Sequence, residues 1–235
     1  MDPLIKLLME KKQNDVLKIL CYAWDILYIE GRSPDVGKRR ENLLRLILEN
    51  ELKLNVNVAS STQKDWDISV KIGNEERKYS VKTREGCGIV KVAWNGFPSD
   101  EKARKYEFRT PILFIMRQRS DEKNEVKNEV SVFVFEIEDI EHVKKKLGSM
   151  FWWIPRNGTN PRGFGLSESA INELINVAKQ KGNYVSDTCE PVESYLEEIT
   201  KAYWNGWYNL VRALALELSN IARTRSTRKY EPRRA

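Results

Sequence analysis

Histidine is nearly missing from this chain: 235 residues contain one, His142, set in the charged run Glu141-His142-Val143-Lys144. That argues against metal sites built on paired histidines, His-based acid–base hydrolysis and an ordinary zinc finger. Cysteine is sparse too. Cys21, Cys87 and Cys189 are odd in number and far apart, which argues against a disulfide framework and suits a reducing cytoplasm. No apolar run approaches the roughly 20 residues that cross a bilayer, so no membrane partner is expected. Met1-Asp2-Pro3-Leu4 lacks the basic-then-apolar pattern of a secretory leader. There is no internal repeat, and no glycine-rich loop ending in Lys-Ser or Lys-Thr to support nucleotide hydrolysis.

Charge is present but unevenly placed. The net charge is +6, and Arg223 to Ala235 hold six Lys/Arg against one acid, so this tail carries +5 and the body +1. Bulk basicity is therefore weak evidence for nucleic-acid binding, and the tail would add only salt-sensitive, sequence-blind affinity.

Apolar residues make up 41% of the chain, enough for one α/β domain over 1–235. Leu4 to Ile29 has helical spacing, broken near Asn14-Asp15, and Ser33-Pro34 is an N-cap and first-turn pair opening a helix to about Glu51. Alternation predicts strands at Leu54–Val58, Trp66–Ile72, Lys78–Thr83 and Val130–Ile137, with a buried strand at Pro111–Met116. Ser120–Glu129 reads as a solvated loop, Glu138–Leu147 as a short helix and 155–165 as a Gly/Pro loop. Helices are expected from Ser167 to about Lys181 and from Val192 to Arg223. The fold class is α/β: a central mixed sheet flanked by helices, with a core over about 34–165, a helical C-terminal part over about 166–222 and a basic tail at 223–235.

The hairpin holds the chemistry. With residues 73–76 as its loop, Ile68 pairs with Val81 and Val70 with Tyr79 on an apolar face. Ser69 then meets Ser80, and Asp67 meets Lys82, on a polar one. The plain alternative is a surface ion pair contributing about 0–1 kcal/mol. Glu41 lies at i−3 and i−7 from Leu44 and Leu48, so its carboxylate points partly along an apolar face and wants a partner. A shared cation with Asp67 is one such partner, and Arg45 at i+4 is the plain one.

The segments Trp66-Asp67-Ile68, Tyr79-Ser80-Val81-Lys82-Thr83 and Lys91-Val92-Ala93-Trp94-Asn95-Gly96 resemble the core of type II restriction endonucleases of the PD-(D/E)xK nuclease superfamily. The resemblance covers roughly 35–116 and implies a restriction-endonuclease-like core. It makes Asp67 a Mg2+ ligand, the Val81 carbonyl another, and Lys82 the lysine that orients and activates water. Two departures stand out. Trp66 replaces the proline before the aspartate, and Ser80 stands where the second acid usually sits; Glu41 is then the substitute acid, with Glu85 the other choice. The resemblance implies a sequence-specific, Mg2+-dependent double-stranded DNA endonuclease of a restriction–modification pair. It would be a cytoplasmic homodimer matching a palindromic site, leaving 5′-phosphate ends.

Candidates for reading DNA are Arg156, Asn157, Thr159, Asn160 and Arg162 in the loop after Phe151-Trp152-Trp153. An exposed turn with solvated arginines is the plain reading of that loop. Lys91, Trp94 and Asn95 come soon after the catalytic strand, Arg84 is placed to touch the scissile phosphate, and Ser80 to touch DNA. Tyr203, Trp204, Trp207 and Tyr208 have helical spacing suited to core packing or a dimer seam. Three alternatives remain: a structure-specific repair or junction nuclease on the same core, a non-catalytic DNA-binding relic, and an unrelated α/β protein.

Overall fold

The computed structural model describes residues 1–11, 16–29, 36–60, 63, 65–86, 88–93, 100–122, 125–155, 163–189 and 201–216. The chain divides into two units, Met1–Pro191 and Val192–Ala235. In the first, helices α1 (Pro3–Glu10), α2 (Val16–Ile29) and α3 (Val36–Glu51) precede strands β1 (Asn55–Val58), β2 (Ile68–Ile72), β3 (Glu75–Glu85) and β4 (Val90–Ala93). Next come α4 (Asp100–Arg104), β5 (Ile112–Glu122), β6 (Glu125–Phe135) and α5 (Ile137–Leu147). A 3-10 turn at Gly148–Phe151 leads into β7 (Trp152–Trp153), β8 (Phe164–Leu166), α6 (Glu168–Gln180) and β9 (Tyr184–Cys189).

Six strands form one mixed sheet in the order β1-β2-β3-β5-β6-β9, in which only β3 and β5 run parallel. Side chains alternate across it with period two. Tyr79 and Val81, Leu113 and Ile115, and Val130, Val132 and Val134 pack with α1, α2 and α3. Phe114, Phe133 and Phe135 point the other way, among residues of α5 and α6. Apolar helix faces packed on both sides of the sheet explain why Ile112–Met116 is an unbroken apolar run. No side chain of β2 or β3 belongs to the second cluster. The even-numbered face of β3, with Ser80, Lys82 and Arg84, is thus left to polar groups.

Several expectations are corrected. The hairpin loop is not 73–76 but the two residues Gly73-Asn74, with Ile72 opposite Glu75. Gly73 sits at φ 62°, the positive value wanted at the first centre of a tight hairpin turn. The register therefore moves by two: Ile68 faces Tyr79, not Val81, and Val70 faces Arg77, not Tyr79. An even shift leaves every side chain on its expected face. The stretch expected as a loop at Ser120–Glu129 instead continues β5 and β6 as a paired ribbon from Glu122 and Glu125. Backbone pairing there needs no apolar alternation. The six-stranded sheet also takes β9 as an edge strand, and β4, β8 and β7 form a second, small sheet. A Cβ on Gly165 of β8 would fall on the Val90 carbonyl, so glycine sets that close strand contact.

Cys21 and Cys189 form a disulfide across 168 residues, contrary to the expectation from cysteine spacing. Distance in sequence is no guide here, because α2 packs against β9. Among the described residues no helix is long and apolar enough to cross a membrane. The second unit is described at residues 201–216, one helix whose Trp204, Trp207 and Tyr208 are 55%, 51% and 61% exposed. Its rings contact one another edge to face, Tyr203 with Trp204 and Trp204 with Trp207.

A buried polar knot ties the start of the chain to the sheet. The Asp2 carboxylate caps α1 by accepting from the amides of Leu4 (2.8 Å) and Ile5 (3.3 Å). It also accepts from Tyr79 Oη at 3.1 Å and pairs with Arg77 Nε at 3.0 Å. Asp2 N–H donates to Asn183 Oδ1 at 2.7 Å. Arg77 in turn holds Glu136 at 2.6 Å, and burial, then Asp2, push the Tyr79 phenol well above its ordinary range. Asp2→Ala removes one partner of a buried ion pair together with the helix cap. It should cost about 3–5 kcal/mol in urea unfolding, and a loss below about 1 kcal/mol would mean that the knot does not anchor α1.

Candidate active site

The site forms where β2 parts from β3. At Asp67 the main chain turns: its carbonyl continues the β1 ladder by accepting from Ala59 N (2.9 Å), but its N–H crosses to Tyr79 O on β3 (2.8 Å). The Val81 N–H therefore loses the main-chain partner a continuing ladder would give. The Asp67 carboxylate takes it, with Oδ2 at 2.7 Å. The same oxygen accepts from Ser80 Oγ at 3.0 Å and Lys82 Nζ at 3.3 Å. Among the described residues Oδ1 accepts no hydrogen bond. Because the Ser80 amide bonds Pro111 O at 2.9 Å, the amide and carbonyl of Val81 turn the other way, toward Asp67. Lys82 Nζ lies 3.2 Å from that carbonyl. One ammonium thus touches both a carboxylate and a main-chain carbonyl.

Asp67 and Lys82 meet, but not as directly opposed residues. The register that corrects the turn places Asp67 across from Ser80, and the long lysine stem covers the remaining offset. Glu41, near the start of α3, joins them electrostatically. Its side chain is 16% exposed and pairs with Lys38 Nζ at 3.2 Å, while Arg45 pairs instead with Glu49 at 2.7 Å. Lys38 also donates to Ala59 O at 2.7 Å, which ties α3 to the turn beside Asp67. Burial, then the charge of Asp67, raise the Glu41 pKa, while Lys38 and Lys82 pull it back.

The other expected residues are more scattered. Glu85 lies on the opposite face of β3 from Lys82 and pairs with Arg117 at 2.9 Å. Ser80 turns its hydroxyl to Asp67. Arg84 curls into its own turn, with Nε donating to Gly86 O at 3.2 Å and Nη1 to Ile89 O. A Cβ on Gly88 would collide with that guanidinium. Lys91 stands on β4 with its ammonium 5.7 Å from the centre of the Trp153 ring. Trp94, Asn95, Arg156, Asn157, Thr159, Asn160, Arg162 and the tail 223–235 lie outside the described residues. Sequence reasoning passed over Lys38 and Tyr106. Lys38 carried a usable signal, since it lies at i−3 from Glu41 on one helix.

Among the described residues no three side chains of His, Cys, Asp or Glu gather at metal-binding spacing. A cation here would rest on two carboxylates and a carbonyl, all hard oxygens of the kind Mg2+ accepts. The free Oδ1 of Asp67 and the raised pKa of half-buried Glu41 fit that group.

A solved structure described as "Restriction endonuclease in complex with substrate DNA" is similar to this chain, with a TM-score of 0.56 and 20% sequence identity. The match covers 80% of this chain and 93% of that one. At this identity the likeness is one of fold: a mixed six-stranded sheet flanked by helices, as in a restriction endonuclease. No family model and no curated protein matches the chain.

The electrostatics give opposite signs for two variants. Lys82→Met should raise the pH at which Glu41 titrates, by removing a nearby positive charge, and Asp67→Asn should lower it, by removing a repelling one. Carboxyl NMR titration reads both, and an unmoved midpoint in each would separate Glu41 from the pair.

Proposed function

We propose that the protein is a Mg2+-dependent, sequence-specific double-stranded DNA endonuclease, a type II restriction enzyme of the PD-(D/E)xK kind. The observation that carries this reading is the Asp67 carboxylate, Val81 carbonyl and Lys82 ammonium gathered at the parting of two strands, within a restriction-endonuclease fold. The neighbouring structure is a complex with substrate DNA, which supports the same substrate class here.

Asp67, Glu41 and Val81 O would hold the cation. Bound there, Mg2+ supplies positive charge at the phosphate and acidifies water. Lys82 holds its ammonium beside the reacting phosphate, where it stabilises the attacking hydroxide and the charge that develops on phosphate oxygens. Ser80, in the place of an acid, donates to Asp67 Oδ2 and so fixes the carboxylate that remains. Glu41 suits the third-ligand role better than Glu85, whose charge is taken by Arg117 on the far face. The products carry 5′-phosphate ends. A two-fold dimer on a palindromic site belongs to this reading, supported by the exposed aromatic residues of helix 201–216. A cytoplasmic place in a restriction–modification pair belongs to it as well.

Incubation with a mapped plasmid and Mg2+, then sequencing of the fragment ends, tests the activity. Cuts should recur at one sequence, and Asp67→Ala or Lys82→Ala should slow them by about 10²–10³-fold or more. Glu41→Gln should cripple the enzyme more than Glu85→Gln. Wild-type protein that binds DNA but leaves it whole in Mg2+ or Mn2+ would mark a non-catalytic relic. Cuts at branches instead of a sequence would mark a junction nuclease, and sedimentation at one chain's mass on DNA would remove the dimer.

A further inference from the structure

The strip of chain between α4 and β5 runs alongside the site. Thr110 Oγ1 donates to Asp65 O at 2.7 Å, and Arg109 pairs with the Asp65 carboxylate at 3.2 Å. Pro111 O accepts the Ser80 amide at 2.9 Å. This strip is therefore fastened both to the residues leading into Asp67 and to the strand carrying Lys82.

Tyr106 opens the strip, and its ring is fixed by packing. It meets Phe108, Phe164 and Trp152 edge to face, at centroid distances of 5.0, 5.4 and 6.2 Å. Its carbonyl accepts from Lys144 Nζ at 2.9 Å. The hydroxyl, by contrast, makes no hydrogen bond among the described residues. It belongs to a half-buried ring within electrostatic reach of Asp67 and Asp65. Burial first, and then those two carboxylates, hold the phenol above its ordinary range. It stays a neutral O–H, able to donate.

An aromatic ring held edge to face by three others, on a strip fastened to Asp65 and to the strand of Lys82, with a hydroxyl that has no hydrogen-bond partner among the described residues, is more than packing requires, since phenylalanine would fill the same space. We propose that Tyr106 is a further substrate-contacting residue, whose hydroxyl donates to a non-bridging oxygen of the phosphodiester held at Asp67 and Lys82. An anionic phosphate offers only acceptors, which suits a donor that finds no acceptor among the described residues. This rests on the nuclease reading and adds to it a contact from the strip between α4 and β5.

The probe is a duplex carrying the sequence read from the plasmid ends, with a single phosphorothioate of either configuration at the cleaved bond. Tyr106→Phe keeps the ring and should leave the melting temperature unchanged. It should slow single-turnover cleavage of the ordinary duplex by about 10–100-fold. It should also shrink the wild-type penalty for sulfur in one configuration only. An unchanged rate, or a slower rate with both sulfur penalties as in wild type, overturns the contact and leaves the nuclease standing. A wild-type protein that cuts no duplex overturns the nuclease reading and this assignment with it.

Discussion

One hydrogen bond organises the centre of this molecule: Val81 N–H to the Asp67 carboxylate. A regular sheet would satisfy that amide from main chain, and the acid would then stand on the surface as an ordinary side chain. Here the chain turns at Asp67, and the side chain does the ladder's work. An amide left unpaired would carry a desolvation penalty of about 1–3 kcal/mol, so the carboxylate is held in place by the same need that holds the sheet together. Its other oxygen accepts no hydrogen bond among the described residues. Lys82, on the next residue, reaches both this carboxylate and the Val81 carbonyl, and occupies the region where opposite charge is most wanted.

The surrounding architecture makes this tolerable. The apolar faces of α5 and α6 bury the central strands, but no side chain of β3 joins their cluster, so Ser80 and Lys82 meet polar groups there. On the other side α3 anchors itself by Leu44, Ile47 and Leu48 and brings Glu41 within electrostatic reach of Asp67 and Lys82. Two carboxylates within electrostatic reach of each other, one half-buried, carry unfavourable energy that Lys38 and Lys82 relieve in part. A divalent cation would relieve it further.

Much of this could be read from residue order. Alternation marked β1, β2, β3 and the buried core of β5, and helical spacing singled out Glu41. The faces of Asp67 and Lys82 came from the apolar pattern, which survives any even slip. What could not be read was the turn length, because Gly73-Asn74-Glu75-Glu76 allows a loop of four as well as of two. The charged ribbon of β5 and β6 was hidden because backbone pairing leaves no mark on polar side chains. The bonds of Arg84 to Gly86 O and Ile89 O were not legible either, since carbonyls of a turn leave no mark on a strand pattern. Tyr106 lies outside any regular element, so no periodicity points to it. Its place became visible only once the partners of Asp65 were known.

The nuclease reading requires the Asp67 cluster to be a divalent-cation site. Titration of the DNA-free protein with Mn2+, monitored by the EPR signal of the free ion, measures this without any cleavage. Saturable binding by wild type that weakens at least about tenfold in Asp67→Asn, a loss of about 1.4 kcal/mol, is the expected result. Equal Mn2+ binding by the two proteins would contradict it.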